Sequence, residues 1–228
     1  LNWNGATWAY VNLDADIRNN GTITVADVNA TQRGSLDLEP TNYTGSGKIE
    51  THGTLVNQNG GDLYVYADYG LINSGDMNAS GGAATAGNGG NAGYIYLEGY
   101  YYTQNTGDLT AKGGNTTAAA GVGGSGDYIE LYSGWGPVYN SGKLDGRGGE
   151  GATGGSAADI EMYANLGNLF NSGDMLANGA NSTVGNGGNG GYIGFEAYAG
   201  EIRNSGDVLA QGGDTTATAG SGGNGDEL

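Results

Sequence analysis

Apolar and polar residues alternate in short bursts along this chain, and the bursts recur at regular intervals. Alternation with a period of two over about five residues is typical of a β-strand with one buried face. The clearest burst is Ile193-x-Phe195-x-Ala197. Equivalent bursts occur at Val11/Leu13/Ala15, Leu36/Leu38, Leu63/Val65/Ala67, Ile95/Leu97, Ile129/Leu131 and Ile160/Met162. The pattern therefore predicts one such strand in each repeat.

A polar turn follows the burst in each later repeat. Asn73-Ser74-Gly75-Asp76-Met77 is the clearest copy, and related turns begin at Asn105, Asn140, Asn171 and Asn204, 31 to 35 residues apart. Self-similarity at a period of about 20 to 50 residues indicates a solenoid, a propeller or an array. A second apolar burst is found at Ile23/Val25, Ile49/Thr51, Met77/Ala79, Leu109/Ala111, Leu144/Gly146, Met175/Ala177 and Val208/Ala210.

We predict an all-β fold, a parallel β-helix (β-solenoid) of about seven coils with stacked Gly-rich loops. One coil cannot bury its apolar face alone, but coils stacked at about 4.8 Å bury a continuous core. An up-and-down barrel gives no reason for identical residues at matching positions, and a left-handed hexapeptide helix needs a six-residue period that is absent. We expect one domain, 1–228, with an N-terminal edge segment (1–10), short coils (11–62) and long coils with Gly-rich insertions (63–228).

Three details of this fold are predicted. The turn Asn residues should stack and hydrogen-bond from coil to coil, and the Gly two residues after each of them should adopt a positive φ. The two internal columns should contain Ile95, Leu97, Ile129, Leu131, Ile160, Met162, Ile193 and Phe195, and the glycines are Gly75, Gly107, Gly142, Gly173 and Gly206. The Gly-rich runs should stack in register, for example as extended polyproline-II-like strands packed through Gly. These runs are Gly81–Gly93, Gly113–Gly126, Gly148–Ser156, Gly179–Gly191 and Gly212–Gly225.

Composition narrows the range of partners. The chain has 228 residues with 50 Gly, no Cys and a net charge of −17. Such acidity disfavours nucleic acid and anionic membranes as partners. No apolar run approaches about 18 residues, so no membrane insertion is expected. Without Cys there are no disulfides and no thiolate metal sites.

The turn pattern Asn-Ser-Gly-Asp-apolar-x-Ala together with Gly-Gly-Asn-Gly-Gly-Tyr-Ile at Gly187–Ile193 resembles the repeats of filamentous-haemagglutinin-type adhesins and other large surface β-helix proteins. The resemblance covers roughly Val11 to Leu228. It implies a β-helix fold and a place at the cell surface or outside the cell.

Candidate metal chemistry rests on one column of carboxylates. Asp76, Asp108, Asp174 and Asp207 should lie one above another, with Lys143 between the second and third. Stacked carboxylates repel one another and attract Ca²⁺, so weak calcium binding and a plain solvated turn both remain open. No other cofactor is expected. The calcium-roll pattern fails because the Asp of Gly123-Gly124-Ser125-Gly126-Asp127 comes one position early.

Catalysis is not expected. Glu130 and Glu161 should occupy one outward column in neighbouring coils, and a carboxylate pair is what glycoside hydrolysis requires. The chain has seven Lys plus Arg and one His, at scattered positions. No Ser/His/Asp grouping and no nucleotide-binding loop can be built from them. We therefore predict no catalytic residues.

Two further features concern the surface. An exposed aromatic face should consist of Tyr64, Tyr66, Tyr94, Tyr96, Tyr128, Tyr132, Tyr163 and Tyr192. Such a face could bind a second copy or stack on sugars, but stacked Tyr also stabilises a sheet by itself. Candidate glycosylation sites near the Gly-rich runs are Asn78, Asn115 and Asn181.

The leading functional hypothesis is a structural β-solenoid of the cell exterior that assembles head to tail into a filament or surface layer, or forms an adhesin stalk. The partner would then be other copies of the same chain. The residues expected at the assembly ends are Trp3, Trp8, Asp226 and Leu228. A chain that begins without Met and ends inside a repeat is also expected of a piece of a longer protein. The alternatives are a polysaccharide-binding module that uses the Tyr face and, less favoured, an ice-binding surface built on Thr116/Thr117 and Thr215/Thr216.

Overall fold

The chain folds as a parallel β-solenoid. The computed structural model describes residues 8–226. Three parallel sheets run along the rod, each with seven strands, and every coil contributes one strand to each sheet. Five long coils with Gly-rich extensions follow the shorter first coils. The predicted fold class is confirmed, and the strand pairing along the rod is parallel as expected.

The strands follow the sequence pattern closely. Sheet 1 holds the first bursts: Trp8–Leu13, Ser35–Pro40, Leu63–Ala67, Ile95–Gly99, Tyr128–Ser133, Asp159–Ala164 and Ile193–Ala197. The strands of sheet 2 end at the turn Asn, except the second, which ends at Gly45. They are Ile17–Asn19, Asn42–Gly45, Gly70–Asn73, Tyr102–Asn105, Val138–Asn140, Leu169–Asn171 and Ile202–Asn204. Sheet 3 holds the second bursts: Ile23–Thr24, Ile49–Glu50, Met77–Asn78, Leu109–Thr110, Leu144–Asp145, Met175–Leu176 and Val208–Leu209.

The inward side chains of sheet 1 form the two predicted columns. Ile95, Ile129, Ile160 and Ile193 are paired in one register. Leu97, Leu131, Met162 and Phe195 are paired in the other. All are buried except Phe195 in the last coil, which is partly buried. These columns form the apolar core together with inward residues of sheets 2 and 3.

The predicted Asn ladder is present at the corner between sheets 2 and 3. The side-chain amide of Asn73 donates to Asn105 Oδ1 at 2.8 Å, and Asn105 donates to Asn140 Oδ1 at 2.8 Å. The series continues to Asn171 and Asn204. Each amide also donates to the backbone carbonyl two residues later in its own turn, as Asn140 does to Gly142. Apart from Asn73 Oδ1, which starts the series and has no partner, the ladder satisfies its buried amides while it ties the long coils together.

The predicted positive φ of the turn glycines is wrong. Among the described residues, only Asn57 and Gly87 have a positive φ, at 62° and 79°. The turn glycines are needed for a different reason, which is close stacking of backbone on backbone. A Cβ on Gly142 would overlap the carbonyl of Gly107, and a Cβ on Gly173 would overlap the carbonyl of Gly142. The same overlap would occur at Gly75, Gly107 and Gly206.

The Gly-rich runs form an ordered extension beside the core, in which each run has an outgoing limb and a returning limb. In the third coil these limbs are residues 79–84 and 88–93. The N–H groups of Gly81 and Ala84 donate to the outgoing limb of the next coil at 2.9 and 2.8 Å. Those of Gly89 and Ala92 donate to its returning limb, both at 2.9 Å. Both limbs therefore stack in register through every third residue, as a polyproline-II strand with three residues per turn requires.

A second set of hydrogen bonds joins the outgoing and returning limbs to each other. Gly90 N–H donates to Gly82 O at 2.9 Å within one coil, and Gly114 N–H donates to Gly90 O at 2.8 Å across to the next. Gly124 and Gly149 continue the alternation. We call this two-column bundle the glycine lattice. A Cβ on Gly90, Gly114 or Gly124 would overlap a backbone carbonyl of the preceding coil, and Ala180 is the one residue with a side chain at an equivalent position. The predicted stacking of the runs is therefore confirmed, with backbone bonds in two directions.

In each limb, one side chain in every three residues points outward. This outward position is where the Asn of Gly-Gly-Asn-Gly stands. Asn91 Oδ1 accepts the N–H of Ser125 in the next coil at 3.0 Å, and Asn189 Oδ1 accepts that of Asn224 at 3.0 Å. The outward side chain thus serves the N–H group that the lattice itself cannot satisfy.

The first coils carry a polar cover in place of the lattice. Two short antiparallel strands, Asp27–Asn29 and Gln32–Arg33, form a hairpin that the sequence pattern did not predict. Arg33 is buried there and pairs with Asp27. The Gln58 side chain, fully buried, donates to Asn29 O at 2.9 Å, and its backbone carbonyl accepts the N–H of Gly82 at 2.7 Å. This cover therefore provides the first hydrogen-bond acceptor for the glycine lattice.

Candidate interaction surfaces

The predicted tyrosines lie on the outer face of sheet 1, but most of their surface is used within the protein. Seven of the eight are half-buried, and only Tyr192 counts as exposed. Rings from neighbouring coils pack together: Tyr94 stacks on Tyr128 with centroids 5.0 Å apart, and Tyr66 lies tilted against Tyr96 with centroids 4.9 Å apart. This geometry favours the structural interpretation of the Tyr face. Binding of sugars or a second copy by these eight residues stays a prediction.

Carboxylates complete this outer face. Tyr94 donates to Glu130 at 2.8 Å, and Tyr96 donates to Glu98 at 2.7 Å. The strands of sheet 1 contain no Lys, Arg or His. Burial and nearby acidic groups raise the pKa of Tyr64 to about 12. The same two effects, burial first, also raise the pKa values of Tyr94 and Tyr96, so the phenols stay protonated at neutral pH and can donate.

Glu130 and Glu161 are neighbours in register, as the pattern predicted. Burial raises the pKa of Glu130, and repulsion from Glu161 and Glu98 adds to that rise, while the hydrogen bond from Tyr94 opposes it. The pair lies on the outer face of sheet 1 beside stacked Tyr rings. The expectation that the chain is not an enzyme stays a prediction.

The Asp column at the turns is exposed and serves the backbone. Asp76 Oδ1 accepts the N–H of Asp108 at 3.3 Å, Asp108 accepts that of Lys143 at 2.9 Å, and Asp174 accepts that of Asp207 at 3.1 Å. Lys48 lies 3.4 Å from Asp76. Within residues 8–226 there is no group of three or more His, Cys, Asp or Glu arranged to hold a metal ion. Weak calcium binding here therefore stays a prediction based on neighbouring carboxylates, without a cluster.

The candidate glycosylation sites differ in exposure. Asn115 and Asn181 are exposed on the outgoing limb of the glycine lattice, and each accepts an N–H from the next coil, at 2.9 and 2.7 Å. Asn78 is half-buried and accepts the N–H of Ser80 at 3.0 Å. Glycosylation at these residues stays a prediction.

Most of the residues expected at the assembly ends, or their side chains, lie outside the part of the chain that the structure describes. Trp3 and Leu228 lie outside the described residues. Trp8 begins the first strand of sheet 1, but its side chain is not among those described. Asp226 is the last described residue, and its N–H donates to Ala210 O at 3.4 Å.

A different aromatic surface, which the sequence analysis missed, lies at the corner between sheets 1 and 2. Trp135 is 56% exposed and Tyr198 is 66% exposed. The exposed residues of this corner ridge are Tyr69, Tyr100, Tyr101, Trp135, Leu166 and Tyr198. They belong to short turns between strands, where alternation carries no information on direction. Only their recurrence at the same place in consecutive coils could have revealed them.

Next to the ridge, the outer face of sheet 2 forms an open groove of about 720 Å³. One wall is a column of outward side chains, Gln104, Tyr139, Phe170 and Arg203, that are paired in register. The Tyr139 and Phe170 rings stack with centroids 5.2 Å apart, and the Arg203 guanidinium lies over Phe170 at 5.8 Å. The other wall is a hydroxyl row of Thr106, Ser141, Ser172 and Ser205. We call this the sheet-2 groove.

Comparison with known proteins leaves the fold and these surfaces as the basis for any function. No helix of the described chain is long and apolar enough to cross a bilayer. The chain matches no family model, no curated protein and no solved structure.

Proposed function

We propose that this chain is a rigid structural rod of the cell exterior, either a stalk segment or a subunit of a filament or surface layer. The observation that carries this proposal is the continuity of bonding along the axis. Three parallel sheets bond every coil to the next, and the Asn ladder and the glycine lattice add bonds between the five long coils. Force along or across such a rod is shared by many backbone bonds at once. The resemblance to adhesin repeats suggests the location.

The side-chain arrangement supports the same role. The Tyr and Glu side chains of sheet 1 interact with one another, through stacked rings and the Tyr94–Glu130 and Tyr96–Glu98 hydrogen bonds. The side-chain oxygens of the Asp and Asn columns accept hydrogen bonds from backbone N–H groups of the next coil. Most repeated polar positions thus hold the rod together, and this is what a scaffold requires.

Location and stiffness are tested separately. Antibodies against the chain should label intact cells of the source organism, and labelling that appears only after permeabilisation would contradict the exterior location. Single molecules pulled from both termini should resist unfolding, and the Asn140→Ala variant should yield at a clearly lower force. Equal forces for the two proteins would show that the ladder bears no load.

Head-to-tail assembly is a separate part of the proposal. Because a chain with a net charge of −17 repels its copies, assembly should grow with salt concentration. Light scattering and negative-stain microscopy of the purified chain measure this. A chain that remains monomeric at high concentration and high salt would leave the stalk as the structural role.

A further inference from the structure

We propose that the sheet-2 groove and the adjoining corner ridge bind a neutral polysaccharide, laid along the solenoid axis between the ring column and the hydroxyl row. This surface is distinct from the predicted Tyr face on sheet 1. The proposal goes beyond a scaffold role and does not depend on it.

The shape of the groove suits an extended polymer. Its lining runs from Gln104 to Ser205 and so crosses four consecutive coils. The coils advance by about 4.8 Å each, which is close to the length of one sugar unit in an extended chain. The same contacts are therefore offered to successive sugars, and a polymer gains from all of them without new side-chain types.

The two walls offer the two kinds of contact that a sugar needs. Tyr139 is 43% exposed, and Phe170 beside it is partly exposed, so their rings present apolar surface to the C–H faces of a pyranose. Ser172 and Ser205 donate only long bonds, 3.4 Å, to backbone carbonyls of the preceding coil. Their oxygen lone pairs remain available to accept hydrogen bonds from sugar hydroxyls.

Charge selects among polymers. The chain carries a net charge of −17, yet the groove lining contains no carboxylate. Its one cation, Arg203, is paired with Glu201 at 2.7 Å. An anionic polymer would be repelled by the whole protein, and a cationic one would favour the acidic face of sheet 1. A second copy of the chain would carry the same repelling charge. The uncharged groove therefore fits a neutral polysaccharide best.

The experiment uses the full chain and a panel of neutral polymers, namely soluble β-glucan, mannan, xyloglucan and insoluble chitin, with alginate as the anionic comparison. Binding is measured by affinity electrophoresis and by pull-down on the insoluble polymer. We expect binding to at least one neutral polymer, little change between low and high salt, and no binding to alginate.

Variants locate the site. The double variant Tyr139→Ala/Phe170→Ala should weaken binding by about ten-fold or more, because truncated aromatic anchors carry much of such an interface. Ser141→Ala/Ser172→Ala should weaken it less. The matched control is Tyr192→Ala, which removes a ring of similar exposure, 38%, from sheet 1 and should leave binding unchanged. Melting curves establish that each variant is folded.

Three results would overturn the proposal. One is no binding to any neutral polymer of the panel by the wild-type chain. Another is equal loss of binding in Tyr192→Ala and in the groove variants. The third is a dimer in size-exclusion chromatography with light scattering that the groove variants dissolve, since the surface would then be an interface between copies. If the aromatic double variant does not fold, the serine variant and Trp135→Ala on the ridge decide the question.

Discussion

The solenoid core and the glycine lattice lie side by side in the same coils but are held together by opposite means. In the core, Ile, Leu and Met side chains fill the space between three sheets, and the backbone bonds only along the axis. In the lattice the facing positions are Gly in every coil but one, where Ala180 stands, and the backbone bonds both along the axis and from limb to limb. The core is therefore sensitive to polarity, whereas the lattice is sensitive to size.

This difference also teaches why the extension is ordered in spite of its composition. Ordering Gly costs more backbone entropy than ordering any other residue. The lattice glycines offset that cost with hydrogen bonds between backbones that approach one another closely. A run such as Gly-Gly-Asn-Gly is thus a folding signal when it recurs at one place in every coil, and a flexible linker when it does not.

The largest effect is expected from a charge in the core. Ile160 is fully buried in the middle of its column, so Ile160→Asp should cost several kcal/mol and abolish the cooperative transition in thermal denaturation. The conservative Ile160→Val should cost only about 0.5–1.5 kcal/mol. A folded and cooperative Ile160→Asp protein would contradict the placement of this column.

The next effect concerns the ladder. Asn140→Ala removes an acceptor from Asn105 and donors from Asn171 and Gly142. Because buried groups left without a partner cost about 1–3 kcal/mol each, the variant should lose about 3 kcal/mol in urea denaturation. Asn204→Ala is the control, since Asn204 is exposed in the last coil and its loss should cost much less. Equal losses would mean that burial does not govern the strength of the ladder.

A single methyl group should distinguish the lattice from the core. Gly123 and Gly222 occupy the same position of the returning limb, but a Cβ on Gly123 would overlap Gly149 O, whereas a Cβ on Gly222 would lie 3.5 Å from Gly213 O. Gly123→Ala should therefore cost about 1–3 kcal/mol, and Gly222→Ala less than about 0.5 kcal/mol. Hydrogen exchange should show the loss first in the amides of residues 113–126. Unchanged protection in Gly123→Ala would mean that the lattice is less tightly packed than described.

Sequence patterns could predict the core, the Asn ladder and the stacking of the Gly-rich runs, but not the limb-to-limb bonds of the lattice or the ridge. Alternation identified Ile95, Ile129 and their neighbours because burial imposes a period of two. A Gly in a sequence does not show whether it is needed for its backbone angle or for close packing. At Gly142 the pattern therefore predicts a positive φ, whereas the structure shows close stacking on Gly107. The ridge residue Trp135 sits in a turn, where exposure depends on how coils stack. Hydrogen-bond partners far apart in sequence, such as Gln58 O and the N–H of Gly82 in the first lattice strand, follow from tertiary contacts that local patterns do not encode.

The smallest effect concerns pH on the outer face of sheet 1. The folded-state pKa of Glu130 is raised, mainly by burial and also by Glu161 and Glu98, so folding favours its protonated form. Its contribution to stability is therefore present below the unfolded-state pKa and is lost as the pH rises through the higher folded-state value. Glu130→Gln, which cannot ionise, should remove that loss, so that the variant gains stability relative to wild type between about pH 4 and pH 8.

Asp145 is the internal contrast. Burial works to raise its pKa, but Arg147 and the nearby lysines outweigh burial and lower it, so its contribution to stability is complete above the unfolded-state pKa and is lost as the pH falls below about 4. Asp145→Asn should therefore be less stable than wild type by a constant amount above about pH 4, and the difference should shrink at lower pH. Denaturation of the three proteins from about pH 2 to pH 8 measures both signs, and parallel curves for wild type and Glu130→Gln would show that Glu130 has an ordinary pKa.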